Sequence, residues 1–115
     1  MRLLTALILA STGFIVACGG GPKPQAQASQ SQAAISAAEA VGAQNFPKAA
    51  LHLKMARDQV KTAELLMADG DNDEANLVLQ RAEADAELAL ALAREEKVRA
   101  EAREELKKVD ELREK

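Results

Sequence analysis

The sequence predicts an all-α protein: an antiparallel helical hairpin or small three-helix unit with a long charged C-terminal helix extension. Three observations predict it. Apolar residues recur at alternating steps of four and three over two long stretches, which is the spacing of a helix–helix seam and not the period of two that a strand requires. Between the stretches stands Asp69-Gly70-Asp71-Asn72-Asp73, a helix stop followed at once by a helix start. After Ala93, 16 of the last 22 residues are charged, and acids stand four residues before bases, as in a helix surrounded by solvent.

Residues 1–17 have the three parts of a secretory signal peptide: a basic start at Arg2, an apolar run from Leu3 to Val16, and the small residue Ala17. The run is short for a permanent span, which needs about 20 apolar residues. Gly19-Gly20-Gly21-Pro22 follows it with no stop-transfer flank. The four residues Ile15-Val16-Ala17-Cys18 resemble the lipobox of bacterial lipoproteins. The resemblance implies that the Cys18 thiol receives a diacylglyceryl group, that the chain is cut before it, and that the new amine is acylated by a palmitate-like chain. Two or more such chains anchor a protein stably at about 0.8 kcal/mol per buried methylene, with no spanning helix. Gly19, with no Asp in its place, is similar to the outer-membrane sorting signal of enteric lipoproteins. The expected location is therefore the periplasmic face of the outer membrane in a Gram-negative cell envelope. Cys18 is the one cysteine, so no intramolecular disulfide framework exists.

Removing residues 1–17 takes away Arg2 and no other charge, leaving 14 basic against 18 acidic residues and a formal charge of −4. Phe46 is then the one aromatic residue. A mildly acidic chain without aromatic interleaving does not fit a nucleic-acid partner. Its core must come from Ala, Leu, Val and Met, and alanine adds little at about 25 cal/mol per Å² of buried area.

Residues 18–31, the acylated cysteine and a Gly/Pro/Gln/Ser stretch, are expected to form a flexible tether. Pro22-Lys23-Pro24 lacks the PxxP spacing of a proline-rich ligand. The alanine-rich helical domain is assigned to residues 32–93. Its first helix begins near Gln32, runs through Ala33 to Val41 and stops around Gly42. Asn45 offers an N-cap for the next, with Pro47 suited to the first turn. In the second helix Ala49, Leu53, Ala56, Val60, Ala63 and Met67 form a seam; in the third, Ala75, Leu79, Ala82, Ala86, Ala89 and Ala93 repeat its rhythm. The two seams should zip together antiparallel. Leu51, Leu65, Leu66, Leu77, Val78, Leu88, Leu90 and Leu92 flank them in excess of what two helices can cover. Either the Ala33–Val41 helix lies over them or another molecule does.

Residues 94–115 form the charged helical extension. Glu95 with Arg99, Glu104 with Lys108, and Glu111 with Lys115 are spaced to support it by a few tenths of a kcal/mol each. It serves as a self-stabilised spacer, or its Ala102, Leu106, Val109 stripe pairs with another helix.

From Ala33 to Ala93 the chain resembles domain of unknown function 4398, an alanine-rich domain of bacterial lipoproteins. The marks are the Ala37-Ala38-Glu39-Ala40 opening, the Pro47 start, the spaced alanines, the Gly70 turn and Ala82-Glu83-Ala84-Asp85-Ala86-Glu87-Leu88-Ala89. That family carries no known catalytic residues. Its frequent companion, a peptidoglycan-binding domain of the outer-membrane-protein-A type, has no counterpart in this sequence.

The residues themselves offer no catalytic constellation, no metal site and no cofactor. His52 is the one histidine, expected on the surface without a nucleophile at a useful spacing. Asp69, Asp71 and Asp73 lack the Gly and Glu of a calcium loop and fit turn and cap chemistry. A single hairpin falls short of a tetratricopeptide solenoid. The expected function is that of a non-enzymatic envelope lipoprotein, held to the membrane through Cys18, whose hairpin binds itself or another envelope protein. The alternative expectation is a structural tether joined to peptidoglycan through Lys115.

Overall fold

The computed structural model describes residues 20–115; the predicted signal peptide over 1–17, with its Ile15, Val16 and Ala17, and the predicted Cys18 and Gly19 signals lie outside the described residues. Helix α1 spans Gln25–Ala40, a 3₁₀ turn spans Ala43–Asn45, α2 spans Pro47–Asp69 and α3 spans Asn72–Arg113. They form an up-down-up bundle of three helices, with no strand among the described residues. Of the two architectures predicted, the three-helix unit is the one formed.

Helix α1 starts at Gln25, although the sequence predicts tether as far as residue 31. Its Gln, Ala and Ser content resembles a linker, yet Ala and Gln are good helix formers. A buried row decides the matter: Ala28, Ser31, Ile35 and Ala38 fall at steps of three and four, with Ser31, Ile35 and Ala38 fully or almost fully buried. The Ser31 hydroxyl lies 2.8 Å from the Leu79 carbonyl of α3 and 2.9 Å from the Gln27 carbonyl of its own helix. One hydroxyl hydrogen shared between two carbonyls satisfies a group whose burial would otherwise cost about 1–3 kcal/mol.

The connection from α1 to α2 turns on Gly42, whose φ of 81° is left-handed, a conformation that favours glycine. Asn45 closes the 3₁₀ turn, and the N-cap position of α2 belongs to extended Phe46 instead, with no side-chain cap. Phe46 packs on the core, and its carbonyl accepts the Ala50 N–H at 2.8 Å. Pro47 occupies the first turn as expected. Gly70, at φ 89°, ends α2; its N–H and that of Asp71 both reach the Leu66 carbonyl, the closure expected of a left-handed C-terminal glycine. Asp71 takes the N-cap position of α3 without a side-chain hydrogen bond, and Asp73 and Glu74 complement the positive end of that helix.

Both predicted seams are in place. Ala49, Leu53, Ala56 and Ala63 are buried, Val60 and Met67 are half-buried against the core, and all six α3 seam residues are fully buried. Alanine at most layers brings the backbones close, and α1 packs mainly against α3. Two apolar clusters result. One joins Ile35, Ala38 and Ala43 to Leu53 and Ala86–Ala93; the other joins Ala63, Ala75 and Leu79; Val60 packs against both. Beyond Ala93 the bundle ends and α3 continues alone. At about 1.5 Å per residue its full run measures about 60 Å.

Candidate interaction surface

Side chains on the outward face of α3 form a row. Successive residues of an α-helix turn by about 100°, so Leu77, Ala84, Leu88, Ala91, Val98, Ala102, Leu106, Val109 and Leu112 share one side, opposite the Ala75–Ala93 seam. All of them are exposed, Leu77 by 55%, Val98 and Leu106 by 64% and Leu112 by 71%. The row crosses from bundle to extension without a break in the helix. In the sequence its two halves read as unrelated: Leu77 and Leu88 as residues flanking a seam, and Ala102, Leu106 and Val109 as a short stripe of their own. The spacing 77, 84, 88, 91, 98, 102 is the signal that connects them. On α2, Leu51 and Leu65 also face outward, at 57% and 68% exposure. Helix α1 therefore covers one flank of the hairpin and leaves another open.

The extension is charged but neutral, with eight basic and eight acidic residues in 94–115. Arg99 holds Glu95 at 2.6 Å as predicted, whereas Lys107 pairs with Glu104 at 3.5 Å and Lys108 with Glu105 at 2.7 Å, each three residues apart and not four. Both spacings bring side chains together on a helix, so the predicted pair of Glu104 with Lys108 is replaced by Glu104 with Lys107 and Glu105 with Lys108. Glu111 and Lys115 make no ion pair among the described residues, because α3 ends at Arg113 and Lys115 lies beyond it, exposed.

His52 is not a plain surface residue. Its Nδ1 lies 2.9 Å from Asp85 of α3, with side chains 27% and 18% exposed, and the Gln59 amide donates to the other Asp85 oxygen at 2.8 Å. This polar bridge ties α2 to α3 beside the alanine seam. It includes no nucleophile, and the described residues contain no group of three or more His, Cys, Asp or Glu able to hold a metal ion. Asp58, on the outer side of α2, has its carboxyl pKa lowered, first by the hydrogen bond from Lys54; slight desolvation opposes this, and the charges of Lys54 and Lys61 add to it. A shallow groove between α1 and α2 is lined by Gln32, Ser36, Val60 and Glu64; it is open and offers no convergent set of polar groups. No helix among the described residues is long and apolar enough to cross a membrane.

The geometry defines a class: a small alanine-seamed helical bundle with a projecting helix and an open apolar row. The family model described as "Domain of unknown function (DUF4398)" matches residues 26–108, and the chain belongs to that family. The match begins within α1 and takes in most of the extension. No curated protein and no solved structure matches the chain.

Proposed function

We propose that the protein is a non-enzymatic, lipid-anchored lipoprotein of the cell envelope whose helical bundle mediates protein–protein interaction or self-association. The observation that carries the interaction is the exposed row from Leu77 to Leu112. Such a row over so long a helix has the form of a coiled-coil face awaiting its partner. The anchor is supported by Ile15-Val16-Ala17-Cys18 closing a short apolar run, and the outer-membrane address by Gly19. Attachment through acyl chains needs no spanning helix.

The test uses the full chain made in a bacterial host, with a photo-crosslinking residue at Leu88 or Leu106. A crosslinked species of twice the chain's mass is expected for self-association, or one of a single defined partner, and Leu106→Glu with Val109→Glu should abolish either. A chain that stays monomeric at high concentration and crosslinks to nothing at either position sinks the reading. Intact mass beside a Cys18→Ser chain tests the anchor: the expected mass is that of residues 18–115 plus acyl chains, lost in the variant.

A second reading is a covalent tether between membrane and cell wall. It is favoured by Lys115, whose amine stands exposed past the end of α3, at the end of the helix away from the bundle. Deletion of Lys115 should then lower the fraction bound to purified peptidoglycan, and an unchanged fraction excludes it.

A further inference from the structure

The first described residues do not hang free. A methyl group placed on Gly20 would overlap the Gly70 carbonyl oxygen, and one on Gly21 would come within 2.7 Å of Asp73 Oδ1. The Asn72 side-chain amide donates to the Gly21 carbonyl at 2.6 Å. From Pro22 to Ala26 the chain then runs beside Asn72, Asp73 and Asn76 of the first turns of α3. Two glycines thus let the backbone lie directly on the α2–α3 turn. That turn is at one pole of the bundle, and the extension leaves from the other.

Only two residue steps separate Cys18 from Gly20, and at most about 3.6 Å per step gives a reach of about 7 Å. We infer that the bundle is seated with its α2–α3 turn against the lipid surface, and that α3 points away from it. This rests on the proposed acylation of Cys18. The protein then has no slack tether, and the outer row beyond Ala93 is presented at a set height above the membrane, to something that is not the membrane. The acidic turn at Asp69, Asp71 and Asp73 carries no basic patch that would draw it to anionic lipid, so the acyl chains and the glycine contact set the orientation.

The test uses the full chain, made in a bacterial host, acylated and reconstituted into phosphatidylcholine vesicles. A fluorescent donor is attached at Asp71→Cys or at Arg113→Cys, with an acceptor on lipid headgroups; acylated Cys18 has no thiol to compete. Strong energy transfer is expected from position 71 and near-complete loss of it from position 113. A Gly/Ser linker inserted between Gly19 and Gly20 should lower transfer from position 71 toward the value at 113. Equal transfer from the two sites, greater transfer from 113, or indifference to the linker overturns the inference. Intact mass separates this failure from that of the anchor. If the chain carries no acyl group the lipid reading itself falls, and the pinning is then read from crosslinking of the free Cys18 thiol to Asp71→Cys by a short bismaleimide. Absence of that crosslink overturns the pinning as well.

Discussion

Helix α3 is two regions on one backbone. From Asn72 to Ala93 its inward side carries six fully buried seam residues, whereas the same seam continued past Ala93 would fall on Glu96, Ala100, Arg103, Lys107 and Asp110. Four of those five are charged, so neither α1 nor α2 has anything apolar to follow. The outward side does the reverse, keeping its apolar row to Leu112 while the inward side turns polar. The bundle therefore stops for a reason written in α3 itself, and what is left apolar on the extension faces where no part of the described chain can cover it.

That contrast breaks most sharply at the large seam residues. Leu79→Ala should destabilise the bundle by about 2–5 kcal/mol, since it would leave a cavity in the cluster that Leu79 forms with Ala63, Ala75, Val60, Leu66 and Met67. Leu106→Ala, at 64% exposure, should leave the monomer within about 0.5 kcal/mol of wild type. Chemical denaturation of the two variants side by side reads the difference, and equal effects would deny that the regions differ. A step smaller is enlargement: Ala86→Leu should cost about 1–3 kcal/mol by forcing the helices apart, while Ala102→Leu on the extension should be neutral in the monomer and strengthen any association through the row. Ser31→Ala should cost about 0.5–1.5 kcal/mol through the lost hydrogen bond, measurable as a shift in the denaturation midpoint at unchanged slope. Were α1 the tether that its composition resembles, the substitution would change nothing.

The smallest expected effect is electrostatic and confined to the bundle's outer surface. Because the Asp58 pKa is lowered in the folded chain from its ordinary 3.8, its contribution to stability is present above that value and lost as pH falls through the folded one. The difference between wild type and Asp58→Asn should accordingly be constant near neutrality and vanish in acid. A difference that grew on acidification would contradict the Lys54 contact.

The seams of α2 and α3 are legible because an apolar period sustained over six positions fits a buried helix face and little else. Family membership is legible through a resemblance carried by the order of the Ala37–Ala40 opening, the Pro47 start, the spaced alanines, the Gly70 turn and the Ala82–Ala89 run. The α1 row is not, since all its members but Ile35 are small or polar: Ser31 counts as hydrophilic in any pattern, and its burial is made tolerable by the Gln27 carbonyl of its own helix and by the Leu79 carbonyl, 48 residues away. Asn45 is the better cap on chemistry alone, but the 3₁₀ turn uses it and leaves the position to Phe46, which the core can bury. The outer row is hidden by the charges around it, and the Gly20–Gly21 contact by the absence of any side chain to signal it. Periodicity records what a helix buries against a long partner; it is silent on a single hydroxyl or a bare backbone meeting a turn.

One consequence of the up-down-up order concerns force. Gly21 and Asn72 sit together at one pole, while Arg113, the last residue of α3, lies beyond the other. A load applied between the two ends of the chain would therefore drag α1 and α3, which run in the same direction, past each other lengthwise. Their contacts would be strained together as in a lap joint, not opened one after another as in peeling. A pull along α3 thus meets the whole length of the α1–α3 contact at once, and α3 serves as the rod that delivers it.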